Sequence, residues 1–475
     1  MPVVTFTGQS AATDVPSANT SRLLNLFRQP VEQGGRTRFV MRAVAGMEPY
    51  ADFDRVFMRD MMEIGGALIV ACGGKLFRVR DDITDLGDIN SSPKTSISSN
   101  TGHITVAAGG AYYVWDGKEM TEPTVDFAVG GVEYLGGYTI LTEEGGRRFA
   151  WSSLTDPKIF PALNFATAET TDDDLIRPVV INGMLWLFKE RSAEVWYVDD
   201  TSASEAGAFG KMPGGDKEIG LRSFGLITKL PGGAFFVGGD GKAYTLTAGQ
   251  LQNVGTPGVE TAIERSDPDR CFYYEWRGHK FCVIRFRNAP AWVYDLATGE
   301  WHERSEGWPV GRWSGVATAK WRGRWMIGSD TGMVSVLHGV VDNLQPLHRI
   351  AVSTPVYSDG ARSILSEMEF FAHQGLYDTI RERAGLVYAA DALFAEDALY
   401  AMAEAARNPK LALRLSRDGG MIFGREREEM FGATGRYDKR VVFRALGQFR
   451  QMVAEIHMSD PVDIPIFSDA RVKFA

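Results

Sequence analysis

The chain has 475 residues, and its 51 Lys and Arg against 60 Asp and Glu give a net charge of −9 at neutral pH. An acidic chain does not suit general polyanion binding, which needs a basic face to neutralise phosphates, so any DNA contact is local or passing. The three cysteines, Cys72, Cys271 and Cys282, lack CxxC or His-spaced partners, which argues against a disulfide framework and a zinc site and leaves plain buried or part-buried thiols.

At roughly 150 residues per domain the length suggests two or three domains with ample core. Glycine supplies 52 residues, about 11% against a usual 7% or so, and the 11 Trp add to an aromatic surplus. That combination points to many short strands joined by tight turns. The opening Met1-Pro2-Val3-Val4-Thr5 has no basic stretch followed by an apolar run, and no window approaches 18 apolar residues. The expectation is a soluble protein made in the cytosol, with no stable membrane insertion.

Residues 1–60 read as an N-terminal arm that joins either the C-terminal domain or the first propeller blade. From about 64 to 337 the apolar stretches recur as hairpins. They span 67–78 around Gly73-Gly74, 104–115 around Gly109-Gly110, 132–141 around Gly136-Gly137 and 178–188 around Asn182-Gly183. Three more span 225–237 around Gly232-Gly233, 272–284 around Arg277-Gly278 and 316–327 around Arg322-Gly323. Such dipeptides supply the positive φ that two-residue hairpin loops require. Turn-to-turn spacings run about 36, 27, 46, 50, 45 and 45 residues. Four-stranded propeller blades take roughly 40 to 50 residues. The first two intervals are short enough that those turns could share a blade. The segment 292–301, from Trp292-Val293-Tyr294-Asp295 to Trp301, reads as a kelch-like blade closure. The fold class is thus mainly β, an irregular β-propeller over 61–345; a β-sandwich with the same hairpins is the alternative.

Residues 346–475 read as an additional C-terminal platform or docking domain, mixed α+β or β. Segment 364–371 is a strand; 378–409 is Ala-rich with apolar residues at Val387, Ala390, Phe394, Ala398 and Met402, a helical insertion. Further strands are expected at 411–415, 421–423, 440–446 and 452–458. Residues 381–475 carry 15 basic and 14 acidic side chains, leaving 36 against 46, or −10, for residues 1–380. Within 407–450 the count is 11 basic to 5 acidic, including Arg425, Arg427, Arg436, Lys439, Arg440, Arg444 and Arg450. A solvated strand face, an interface to an acidic neighbour and a phosphate contact all fit such a strip.

No phosphate loop, GxSxG elbow, HExxH or EF-hand motif occurs, so no catalytic, cofactor or metal residues are expected. Asp172-Asp173-Asp174 reads as a solvated loop rather than a cation site, because consecutive carboxylates converge poorly on one ion. Gly238-Gly239-Asp240-Gly241-Lys242 reads as a hairpin turn. The seven histidines show no i, i+4 pair. Ser416-Arg417-Asp418-Gly419-Gly420-Met421-Ile422-Phe423 matches the S-x-D-x-G-x-x-[WF] Asp box, with Ser416, Asp418, Gly420 and Phe423 at the defining positions. Asp418 is expected to bond its own turn's N–H groups while Phe423 packs beneath. The box is familiar from sialidase-type propellers, which makes a glycan-active enzyme one alternative; a host-surface-binding module is a separate one.

The chain resembles the packaged-DNA stabilisation protein family, the tail hub or nozzle subunit of short-tailed bacteriophages. Ser21-Arg22-Leu23-Leu24-Asn25-Leu26-Phe27 is similar to the family's opening, with Ala45-Gly46-Met47 where the family has Pro-Gly-Leu. Trp151-Ser152-Ser153-Leu154-Thr155-Asp156-Pro157, Asn164-Phe165-Ala166-Thr167-Ala168-Glu169, Gly183-Met184-Leu185-Trp186-Leu187-Phe188 and Ser192-Ala193-Glu194-Val195-Trp196-Tyr197 come in the family's order. The Asp-box turn, Tyr437-Asp438-Lys439-Arg440, Leu446-Gly447-Gln448-Phe449-Arg450 and Ser459-Asp460-Pro461-Val462 resemble its closing block. The resemblance implies a structural virion protein and no enzyme: a hexameric tail ring below the portal and its adaptor. Such a ring extends the DNA channel, retains packaged DNA, touches it in passing during ejection, and mounts a tail needle, tailspikes or fibres.

Overall fold

The structure is a computed structural model that describes residues 3–474 apart from 7–8, 12–19, 32–38, 55–56, 200, 203, 359, 373–407, 434 and 438. Almost all of the helical insertion expected at 378–409 therefore lies outside the described residues. Among the described residues between 47 and 337, seven blades of four antiparallel strands succeed one another in chain order, the sixth and seventh being parts of larger sheets. Six are continuous in sequence, at 58–88, 95–121, 129–167, 175–211, 227–253 and 268–304. The seventh takes three strands from 315–337 and its fourth, Met47–Asp52, from the beginning of the chain, with Leu337 opposite Met47. The innermost strand of the first blade, Met58–Ile64, packs against that of the seventh, Gly315–Trp321, and the ring closes. Residues from all seven innermost strands line an axial cavity of about 350 Å³.

Each blade begins with a hairpin closed by a two-residue turn. The turns are Gly65-Gly66, Thr101-Gly102, Gly136-Gly137, Asn182-Gly183, Pro231-Gly232, Arg277-Gly278 and Arg322-Gly323, and both residues have positive φ in all but Pro231-Gly232. First-turn spacings are 36, 35, 46, 49, 46 and 45 residues. The two glycine pairs at 73 and 109 sit instead at the second turns of blades one and two. They belong to separate blades, and the short interval of 27 came from comparing a second turn with a first. The segment 292–301 supplies the third and fourth strands of blade six, Ala291–Asp295 and Glu300–Arg304. The helix Pro257–Arg265, capped by Thr256 Oγ1 on the Val259 N–H, links blades five and six.

The C-terminal part is a β-sandwich. One sheet orders Val3–Thr5, Asp469–Phe474, Ser363–Phe370 and Val441–Phe449; the other orders Arg22–Leu24, Arg349–Val352, Gln451–Met458, Lys410–Ser416 and Arg427–Met430. Phe6, Leu23, Met368, Phe370, Leu413, Phe443, Ile456 and Val472 form the core between them. Among the described residues every regular element of this part is a strand. The expected strand at 421–423 is instead a turn, because Asp418 captures its backbone N–H groups.

One joint ties the two parts. Arg22–Leu24 pairs antiparallel with Arg349–Val352 on one side and in parallel with the outer strand of blade six, at Leu24 and Glu303, on the other. A single ten-stranded sheet thus runs from propeller to sandwich. Arg22 clamps Glu303 with two bonds of 2.9 and 2.6 Å. Beside it the Arg304 guanidinium lies 2.9 and 2.6 Å from the two oxygens of Asp342, and both side chains are 0% exposed. Arg304 also donates to Asn25 Oδ1 at 3.1 Å and sits over the Trp313 ring at 4.7 Å. Asn25 holds φ at +56°, a conformation Asn tolerates, and donates through its amide to the His348 carbonyl at 2.7 Å. Nearby is Gly46, where an added Cβ would lie 2.2 Å from the Val341 carbonyl oxygen, so only glycine fits.

Removing one partner of a buried ion pair strands a charge without solvent, which costs about 3–5 kcal/mol. Asp342→Asn should lower unfolding stability by that order in chemical denaturation. A double variant, Arg304→Met with Asp342→Leu, should recover most of the loss.

Candidate docking site on the sandwich edge

The strands Lys410–Ser416 and Arg427–Met430 are joined through the Asp-box segment. Ser416 Oγ donates to Asp418 Oδ1 at 2.5 Å and accepts from the Gly420 N–H at 2.9 Å, while Asp418 Oδ1 accepts from the Met421 and Ile422 N–H groups, each at 3.0 Å. The Ser416 hydroxyl and the Ile422 N–H, both donating to the charged form, hold the Asp418 carboxyl below its ordinary range. Gly420 has φ +94°, and a Cβ there would meet Thr20 Cγ2 at 2.8 Å. Phe423 packs against Leu24, Ile350, Val352 and Val453, under the Arg414 guanidinium. The turn thereby pushes Met421 and Ile422 outward, 69% and 74% exposed.

Arg427–Met430 ends one sheet and Val441–Phe449 ends the other, and the two strands approach each other on one side of the sandwich. Between them lies a groove of about 930 Å³ walled by Leu413, Leu415, Leu446, Ile422, Arg417 and Arg425. Arg427 reaches across it, donating to the Arg444 carbonyl at 2.8 Å and the Ala445 carbonyl at 3.1 Å. Arg417 does likewise to the Leu446 carbonyl at 3.0 Å.

The seven cationic residues singled out in the sequence fall into two groups. Arg440 pairs with Glu369 at 2.6 Å, Arg444 lies 3.7 Å from Glu367, and Arg427 clips the two sheet edges together. Arg425, Arg436, Lys439 and Arg450 make no ion pair among the described residues, and all but Lys439 are exposed. They stand near the exposed apolar side chains of Met421, Ile422, Met430 and Tyr437 along the chain. Arg417 and the apolar rim were missed in the sequence, although Arg417 lies inside the Asp box. The neutralising Glu369 is 71 residues from Arg440, and no local pattern announces it.

Other candidates resolve into structure. Cys72, Cys271 and Cys282 are free and buried, and burial pushes the Cys271 and Cys282 thiols up. The acidic triplet is not a uniform solvated loop. Asp172 is exposed beside Arg147, but Asp173 is buried, accepting from the Arg191 N–H at 2.8 Å and lying 3.2 Å from the fully buried Lys189. Glu194 completes that cluster, 3.8 Å from Lys189. Gly238 to Lys242 forms a turn fastened by Asp240, between two strands of blade five. Among the described residues no group of His, Cys, Asp or Glu could hold a metal ion, and no helix is long and apolar enough to cross a membrane.

Comparison with known families agrees with this architecture. Residues 6–339 match a family model described as "Bacteriophage P22 Gp10, beta-propeller", and residues 348–472 match "Bacteriophage P22 Gp10, beta-sandwich". No curated protein sequence matches the chain. Solved structures with a similar outline include PorZ of the type-IX secretion system of Porphyromonas gingivalis, at 10% identity and TM-score 0.38, covering 68% of this chain and 45% of that one. BamB from Moraxella catarrhalis is similar at 11% identity and TM-score 0.39, covering 70% of this chain and 98% of its own. The chain belongs to the bacteriophage P22 Gp10 family of packaged-DNA stabilisation proteins.

The Asp-box geometry carries a local prediction. Asp418→Ala removes the acceptor of two backbone N–H groups at the protein surface. Tryptic cleavage at Arg417 and Arg425 should accelerate while the global melting transition stays in place.

Proposed function

We propose that this structural phage tail protein assembles into a closed, hexameric ring below the portal and its adaptor, with the open sandwich edge as a principal contact surface. The observation that carries the reading is the groove between the two sheet edges, with Arg425, Arg436 and Arg450, which make no ion pair among the described residues, exposed on the same stretch of chain as Met421, Ile422 and Tyr437. Edge strands with free backbone groups invite pairing with another chain, and an apolar centre with a charged rim suits a protein interface. Charge supports a head-to-tail arrangement. The strip within 407–450 carries 11 basic to 5 acidic residues, whereas residues 1–380 carry 36 to 46. A basic edge meeting a neighbour's acidic propeller forms a heterologous contact, which closes into a ring when the rotation allows.

An acidic lumen also serves the packaged genome. A polyanion slides past like charge without being held, while a basic channel would bind it by counterion release. The ring in this reading extends the channel, retains DNA until ejection, and carries needle, tailspikes or fibres on its outer face. The protein enters the virion after synthesis in the bacterial cytoplasm.

Two measurements test the proposal. Hydrodynamic mass of the purified chain, alone and mixed with the adaptor ring, should reveal a ring-sized species in at least one case; a monomer in both would overturn it. Reversal of Arg425, Arg436 and Arg450 to Glu should abolish docking or ring formation with little change in melting, because none of the three has an ion-pair partner among the described residues. Normal assembly by that variant would remove the sandwich edge from the interface.

A further inference from the structure

The axial cavity of the propeller carries an imbalance of charge that plays no part in the tail-ring contacts. Three arginines line it from three separate innermost strands: Arg59 in Met58–Ile64, Arg177 in Leu175–Ile181 and Arg270 in Pro268–Trp276. Each is the second or third residue of its strand, and a register shift interrupts each strand at that point, between Met58 and Asp60, Leu175 and Arg177, and Pro268 and Arg270. Bulges of this kind re-aim side chains. Here they occur at the same depth of the ring, so the three guanidiniums gather at one end of the cavity.

Each arginine is anchored by one nitrogen on backbone, and Arg59 and Arg177 keep buried nitrogens without a partner among the described residues. Arg59 donates through Nη1 to the Asn90 and Ser92 carbonyls and to Thr95 Oγ1, Arg177 to the Phe224 carbonyl at 3.0 Å, and Arg270 to the Pro93 carbonyl at 2.9 Å. Arg59 is 1% exposed, yet its Nε and Nη2 have no hydrogen-bond partner among the described residues; the buried Nε of Arg177 has none either. Asp60 is the carboxylate beside them, and its two oxygens accept from the Met61 N–H at 2.9 Å and the Ile97 N–H at 3.1 Å. Asp269 is drawn off to Arg285 at 2.6 Å. Elsewhere in the cavity the lysines are matched, Lys229 with Glu133 at 2.6 Å and Lys320 with Glu275 at 3.4 Å.

Buried donors without acceptors and an unneutralised cationic excess are both costly in a low dielectric, and one bound oxyanion relieves both. We propose that this end of the axial cavity is a binding site for a small oxyanion of the phosphate or carboxylate kind, held by Arg59, Arg177 and Arg270. The planar guanidinium fork suits such oxygens, and the cavity of about 350 Å³ admits a small ion with its waters. Desolvation holds Arg59 down to about 10 and Arg270 below its ordinary value, as expected of cations lacking a counter-charge. The site binds and does not cleave. The hydrogen-bonded Tyr273 and Glu275 pair lies up to five residues past Arg270 along an extended strand, on the order of 16 Å away at Glu275.

The test is calorimetric titration of the purified chain at constant ionic strength, with inorganic phosphate and acetate as separate arms. The wild type should bind one of them at a single site, and which arm responds identifies the oxyanion. Arg270→Gln should weaken that binding roughly tenfold or more, Asp60→Asn should tighten it about tenfold, and Lys320→Gln should leave it unchanged. Tightening by Asp60→Asn is an outcome that a purely structural role for the cluster does not produce, and it decides the matter if Arg270→Gln fails to fold. Absence of binding in both arms, or equal affinity in wild type and the Arg270 and Asp60 variants, would overturn the site.

Discussion

The buried pair of Arg304 and Asp342 is the constraint around which the two halves of the molecule are arranged. Arg304 ends the outer strand of blade six, Asp342 lies just past the last blade, and Asn25 brings the N-terminal segment to the same point. Neither charge reaches water, so neither tolerates the other's displacement. The pair therefore fixes three distant stretches of chain at one place, and the parallel pairing of Leu24 with Glu303 extends that fixation into a continuous sheet.

The first fifty or so residues act as a clasp for both domains. Val3–Thr5 edges one sandwich sheet, Arg22–Leu24 carries the other sheet to blade six, and Met47–Asp52 closes the ring by completing blade seven. Closing a propeller with a strand from the opposite end of the chain couples opening of the ring to loss of terminal pairing. It also removes an exposed edge that would otherwise invite association. Arg427–Met430 and Val441–Phe449 each end a sandwich sheet, and it is there that the cationic and apolar side chains collect.

Positive charge thus occupies two physically different settings. On the sandwich edge it is solvated, partly neutralised by Glu367 and Glu369, and suited to steering and registering a partner. At the propeller axis it is desolvated and short of counter-charge, a setting suited to a small ion rather than to a surface. The two are separate in the chain and in the fold, and the net charge of −9 conceals both.

What the sequence determined by itself is whatever a few adjacent residues encode. Two-residue turns such as Asn182-Gly183 and Arg322-Gly323 announce positive φ locally, so the hairpins, the blade period and the Asp box were legible, as was the family through its ordered motifs. Two quoted motif residues proved to be joints whose role was not legible: Asn25 meets Arg304 across 279 positions, and Glu194 shares Lys189 with Asp173. Blade assignment failed at the first two turns because first and second turns of a blade look alike in sequence. Only the tertiary structure decided the closure by Met47–Asp52, the neutralisation of Arg440 by Glu369, and the gathering of Arg59, Arg177 and Arg270. Those depend on register between strands far apart in the chain, where a slip of one residue turns every side chain to the opposite face.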